Sequence, residues 1–306
     1  MYYEYIFYMS IRHLSVLALA GLTLVVRPVA ADTFQPKDWD AGMTLTEADN
    51  TNADPRIVEI NLEARIATVP VAEHKVEVWT YDGGLPGPLI RVRVGDRVIV
   101  HFSNSLPEPS TVHWHGLRIP IQMDGVPDIS QPAVKPGEKF TYDFTVPDAG
   151  LFWYHPHVRS AAQVGYGLYG ALLVEDPADG VNVAHELVIV LSDIGIDEKG
   201  KIEDPDSGGT TGMAFGREGT QILINGRAKA SLTVRPGAPQ RWRIANAAKS
   251  RYFMLDLAGQ PFTLIGGDGG LQEYATQPVS IQMTPGERID VIVTPTGKPG
   301  SELLLN

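Results

Sequence analysis

From Arg56 onward, apolar residues recur at every second position over short runs. Val76 and Val78 alternate with charged neighbours, and Val92 and Val94, then Val98, Val100 and Phe102, form two further runs. Phe140, Tyr142, Phe144 and Val146 alternate with Lys139, Thr141, Asp143 and Thr145. Side chains of an extended strand point to alternate faces, so each run predicts a strand with one face on a core. Gly95-Asp96, between two of the runs, is a hairpin signal. No stretch of useful length holds a helical period. The chain is therefore expected to be all-β, most simply Greek-key sandwiches.

The pattern occurs twice. Ile90, Val92, Gly95, Val100, Phe102 and Asn104 correspond by spacing to Leu232, Val234, Gly237, Trp242, Ile244 and Asn246. Pro136-Gly137-Glu138-Lys139-Phe140 is echoed by Pro285-Gly286-Glu287-Arg288-Ile289. Two blocks recurring in the same order at nearly the same offset indicate tandem copies of one sandwich. The expected organisation is a polar N-terminal arm over 32–56, a first domain over 57–177, a linker over 178–185 and a second domain over 186–306. Residues 198–218, rich in Gly and Asp, predict a long surface loop in the second copy. Gly266-Gly267-Asp268-Gly269-Gly270 lacks a following helix and any Walker lysine, so it reads as a strand connection.

Length agrees with two cores: 306 residues, with 31 Gly and 23 Pro to supply turns. The net charge of −11, with no basic stripe among aromatics, argues against a nucleic-acid partner. Residues 1–31 read as a signal peptide. Met9-Ser10-Ile11-Arg12-His13 is a basic start, Leu14 to Val26 an apolar run, and Val29-Ala30-Ala31 a cleavage site. The run is short for a membrane span, so the expectation is a periplasmic or secreted protein without a stable membrane anchor; an uncleaved anchor is the alternative. There is no cysteine, which leaves neither disulfides nor thiolate ligands in this chain.

The chemistry gathers in two short motifs, Thr111-Val112-His113-Trp114-His115-Gly116 and Tyr154-His155-Pro156-His157. In an extended strand residues i and i+2 share a face, so each His-x-His sends two imidazoles the same way. Two such pairs facing each other make a pocket of four imidazoles. Imidazole suits copper, zinc, iron and nickel, so the donors alone do not name the metal. His74, His101 and His185 are isolated in sequence and read as structural.

Trp114 and Gly116 around the first pair, and Phe152-Trp153-Tyr154 before the second, make the chain resemble the first two domains of the multicopper oxidases, a family that includes laccases and periplasmic metal oxidases. The resemblance implies two cupredoxin-like domains and a copper cofactor. It also implies O₂ as oxidant, with phenols or metal ions as the small reducing substrate. His113 resembles the family's type 2 copper ligand, and His115, His155 and His157 resemble ligands of the type 3 pair. Asp124, in Met123-Asp124-Gly125, resembles the catalytic acid that relays protons near the type 2 site. Trp114, Trp153 and Tyr154 are expected to wall the site. The second domain resembles the family's middle domain, a spacer without copper ligands.

The chain also departs from that pattern. No histidine follows His185 and no cysteine exists, so a type 1 (blue) copper site cannot form from these residues. The end at Leu303-Leu304-Leu305-Asn306 reads as an interrupted strand. The expectation is thus an N-terminal portion whose missing third cupredoxin domain is supplied in cis or in trans, with the isolated chain inactive. A non-enzymatic exported copper-binding or scaffold protein on the same fold is the alternative, and a four-histidine zinc or iron enzyme a more distant one.

Overall fold

The structure, a computed structural model, describes residues 7–10 and 34–305. The apolar run and cleavage site of the expected signal peptide lie outside the described residues. β1 (Phe7–Ser10) pairs through its backbone with β12 (Ser231–Thr233) and β19 (Glu302–Leu305).

The first domain is a sandwich. One sheet has the order β3-β2-β5-β7, built from β2 (Ile57–Val71), β3 (His74–Tyr81), β5 (Arg97–Asn104) and β7 (Lys139–Thr145). The other has the order β4-β9-β8-β6, built from β4 (Gly87–Arg93), β6 (His113–His115), β8 (Gly150–His155) and β9 (Gly170–Glu175). The alternate residues anticipated from the period do turn inward: Val98, Val100, Phe102, Tyr142 and Phe144 meet Ile90, Val92, Trp114 and Tyr154 in one core.

The Gly95-Asp96 turn is not a hairpin. β4 pairs with β9, whereas β5 pairs with β2 and β7. Gly95 takes φ 81°, and the Asp96 carboxylate accepts the Arg93 N–H at 2.7 Å, so the chain arches from one sheet to the other. Both strands bury their alternate residues in the same core from opposite sides. A period of two looks the same in a hairpin and in such an arch.

In the second domain the main sheet has the order β11-β10-β13-β18-β15-β16: β10 (Glu186–Ile194), β11 (Gln221–Ile224), β13 (Gln240–Asn246), β15 (Thr263–Gly267), β16 (Gly270–Thr276) and β18 (Arg288–Val293). β14 (Phe253–Asp256) and β17 (Ser280–Met283) form a separate pair. The glycine run is the β15–β16 connection, as expected. The sequence repeat reappears as a repeat of bonds. Asn104 accepts from Leu106 N and Asn246 from Ala248 N; Gly137 N donates to Asn104 O and Gly286 N to Asn246 O. Glu138 accepts the N–H of Lys135, and Glu287 that of Thr284.

Two short helices, α1 (Ser160–Gly165) and α2 (Gly209–Phe215), were not anticipated, because neither is long enough to display a period. α2 lies within the expected 198–218 loop. An apolar cluster of Leu89, Leu151, Trp153 and Tyr169 against Val188, Val190, Ala245 and Ala247 joins the two domains. The polar arm is anchored through Trp39 and Met43, both buried in the second core.

Candidate metal centre

β6 and β8 are antiparallel, with His113 opposite His155, Trp114 opposite Tyr154 and His115 opposite Trp153. Strand alternation sends Trp114 and Tyr154 into the core and leaves His113, His115, Trp153 and His155 on one face. Cross-strand partners on a face stand about 5 Å apart, so this register alone brings imidazoles together. His113, His115 and His155 each offer a ring nitrogen, and the three nitrogens lie within 4.8 Å of one another.

His157 departs from the expected geometry. β8 ends at His155, and Pro156 breaks the extended run, so His157 is not on the strand. Its N–H donates to Thr111 Oγ1 at 3.1 Å. The ring stands at the exposed rim, centroid 5.0 Å from that of His113 and 6.0 Å from that of His155.

Hydrogen bonds set which nitrogen is free. His113 Nδ1 lies 2.7 Å from Asp124 O, and His155 Nδ1 lies 2.9 Å from Pro156 O. A carbonyl only accepts, so both Nδ1 atoms donate and both Nε2 atoms carry a lone pair. Ser160 Oγ adds a contact to His155 Nδ1 at 3.3 Å, and His115 Nδ1 approaches His155 Nε2 at 3.3 Å.

Charge is kept low. Burial, then the Arg288 guanidinium and His113, push the His115 imidazole down to about 4. Burial holds His155 well below the usual imidazole value, opposed by its bond to Pro156 O and reinforced by the neighbouring histidines. His157 is lowered by burial and by His113, against an opposing pull from Asp124. Neutral imidazole is the form that ligates a metal, so the donor set fits a borderline cation such as copper.

Asp124 lies beside His113. Its Oδ1 lies 3.4 Å from His113 Nδ1, and its side chain is 31% exposed, reachable from solvent. It follows a short 3₁₀ turn, Ile121–Met123. Gly125 lets this turn press against the strand: its φ is +73°, and a Cβ there would stand 1.9 Å from Val112 O. Trp153 stacks on His155 at 4.1 Å between centroids and flanks His115 at 5.0 Å. Trp114 and Tyr154 wall the site only from behind, as core residues.

The isolated histidines lie apart from the cluster. His101 bonds Glu59 at 2.7 Å and Thr141 at 3.2 Å; His185 accepts from Gln35 N and packs on Phe34 and Trp39. Sequence reasoning missed Thr111, Ser160 and Arg288. The first lies inside the first motif and the second just after the second, yet nothing in their spacing marks them.

Two family models described as multicopper oxidase match residues 64–179 and 185–301. The chain is 36% identical over 290 residues to Multicopper oxidase MmcO of Mycobacterium tuberculosis, an alignment covering 84% of this chain and 56% of that protein. It is 33% identical over 254 residues to Laccase-2 of Cryptococcus neoformans, covering 74% and 42%. A multi-copper oxidase from Pseudomonas thermotolerans superposes with TM-score 0.74 at 37% identity, over 82% of this chain and 61% of that one. A Campylobacter jejuni multicopper oxidase, described as a metallo-oxidase, gives TM-score 0.73 at 29% identity, over 85% and 59%. The chain spans about half the length of the curated relatives it matches. Tandem cupredoxin-like sandwiches, a cluster of imidazoles and both family matches agree: this chain belongs to the multicopper oxidase family.

Proposed function

We propose that this chain supplies the first-domain half of a three-copper centre in an exported, laccase-like oxidase that takes electrons from phenols or metal ions and reduces O₂ to water. The observation that carries the reading is the convergence of His113, His115 and His155, whose ligand nitrogens lie within 4.8 Å of one another. His113 is assigned to the type 2 copper, and His115, His155 and His157 to the type 3 pair. Copper held there supplies the redox chemistry. The chain's own residues do the rest. His113 and His155 keep Nε2 free because their Nδ1 protons are committed to carbonyls. Trp153 covers His155 and excludes water from one side. Asp124, beside His113 and open to solvent, holds and passes a proton at its carboxylate, which a reaction that consumes protons requires.

With no cysteine in the chain, the blue copper site and the remaining ligands come from a third cupredoxin domain, in cis or in trans. The periplasmic or secreted location rests on the leader-like residues 1–31. The test is copper uptake by the 306-residue chain under chelator competition, with and without His113→Ala and His155→Ala. Tight uptake that either substitution weakens at least about 100-fold supports the assignment, since even supporting residues of metal sites are worth 10–100-fold. Uptake indifferent to both substitutions refutes it. The absence of cysteine also favours a second reading, a copper-binding or scaffold protein without turnover. Phenol or metal-ion oxidation by the purified chain alone would refute that one.

A further inference from the structure

We propose that Arg288 is a positioning residue of the copper centre, and that the second domain, through the turn Pro285-Gly286-Glu287-Arg288, builds one wall of the site and sets the orientation of His115. The inference rests on the copper reading of the histidine cluster given above. It assigns the second domain a task beyond that of a spacer.

The starting point is a difference between the two copies of the repeat. Pro136-Gly137-Glu138 and Pro285-Gly286-Glu287 form the same turn with the same bonds to Asn104 and Asn246. The next residue differs in fate: Lys139 is exposed, while the Arg288 side chain is only 5% exposed. Buried cations are costly and rarely kept without a specific set of partners. Arg288 Nη1 pairs with Asp268 Oδ1 at 2.9 Å, and that carboxylate is itself 56% exposed. The other bonds go to carbonyls: Nε to Leu151 O at 3.3 Å, Nη1 to Gly286 O at 3.0 Å and Nη2 to Asp268 O at 3.2 Å. Leu151 lies on β8, the strand that carries Trp153 and His155. The guanidinium also lies 5.9 Å from the Phe152 ring centroid on that strand.

Two glycines show how closely the domains approach. Gly116, which ends the first histidine motif, has φ +90°, and a Cβ there would stand 2.3 Å from Arg288 Nη2. The space that a side chain would need is taken by the guanidinium of the other domain. Gly286 has φ +85°, and a Cβ there would stand 3.4 Å from His115 Cε1 and 3.7 Å from Trp153 Cζ2. His115 is thus held between Trp153 and the Gly286 turn. A planar guanidinium can tie Leu151, Gly286 and Asp268 together at fixed angles, which a lysine ammonium cannot. Groups that orient a ligand in this way tune its metal.

The test is Arg288→Lys in the whole chain, read by copper affinity under chelator competition and by the electron paramagnetic resonance of the bound Cu(II). A role confined to fastening the domains would lower thermal stability without changing the Cu(II) signal. The proposal expects affinity to fall about 10–100-fold and the hyperfine splitting to change. Asp268→Asn, at an exposed partner, loosens the guanidinium while leaving it in place; a smaller change of the same sign is expected, and this variant decides if Arg288→Lys does not fold. Wild-type affinity and splitting in the folded variants overturn the proposal and leave the copper reading standing. A wild-type chain that takes up no copper overturns both.

Discussion

His113 and His155 are directly opposed across the β6–β8 ladder, with ring centroids 5.3 Å apart and edges toward faces at 71°. That register, rather than the spacing within either motif, makes the cluster. A slip of one residue would send every side chain of β6 to the other face. Residues so placed share an environment in which charging one imidazole raises the cost of charging the next.

A pH dependence follows. An imidazole in the unfolded chain titrates near 6.5, whereas burial, with Arg288 and His113, holds that of His115 at about 4 in the folded chain. Between these values the unfolded state binds more protons, so stability rises with pH. The contribution is complete above about pH 6.5 and is lost as pH falls toward about 4. Copper affinity follows the same direction, because protons and metal compete for the same lone pairs. Denaturation midpoints and chelator competition from about pH 7.5 to about pH 4.5 check this; a midpoint that is flat across the window contradicts it.

Gly125→Ala is expected to disable the site by moving the strand. The residue has φ +73°, and a Cβ would meet Val112 O at 1.9 Å, one residue before His113. Strained backbone at such a position costs on the order of 1–3 kcal/mol, and relief of the clash pushes the Asp124 turn off His113. Urea denaturation should show lowered stability together with weakened copper binding. Loss of stability alone would mean that the turn does not hold His113.

Arg241 anchors the predicted linker. Its side chain, 6% exposed, pairs with Asp290 at 2.7 Å and with Asp179 at 2.5 Å. Arg241→Met leaves two poorly exposed carboxylates short of a partner and should cost about 3–5 kcal/mol in urea denaturation. Adding Asp290→Leu should recover part of the loss, since removing both partners is milder than removing one.

What could be read from sequence was whatever a strand writes along its own length. The alternation at 139–146 and the doubled pattern are local and reappear in place, and the first His-x-His motif lies on one strand. What could not be read depends on which strands meet. Gly95-Asp96 arches between sheets although its pattern fits a hairpin, and His157 leaves the strand because Pro156 stops it. Arg288 stands 172 positions beyond Gly116, and nothing along the chain tells that the second copy of Pro-Gly-Glu would turn its cation inward while the first turns it out. Trp39 and Met43 lie in a stretch without period, so their burial in the second core was equally hidden.

The repeat itself yields the last prediction. Asn104 Nδ2 donates to Glu108 O and Val134 O, and its Oδ1 accepts from Leu106 N. Asn246 Nδ2 donates to Arg251 O and Met283 O, and its Oδ1 accepts from Ala248 N. Both side chains are essentially fully buried, and each satisfies three backbone groups at buried or half-buried positions. Replacing either by Ala strips the same bonds at about 1–3 kcal/mol for each group left unpaired. Asn104→Ala and Asn246→Ala should therefore destabilise to a similar degree, and, lying in different domains, the two losses should add within about 0.5 kcal/mol. They should differ in reach. Asn104 Nδ2 holds Glu108 O in the loop that leads to Thr111 and the first histidine motif, whereas Asn246 Nδ2 holds Met283 O, two residues before the turn that brings Gly286 beside His115. If the second domain does orient His115, Asn246→Ala weakens copper binding although it lies in a domain without a ligand. Equal stability loss with unchanged copper affinity would confine Asn246 to folding.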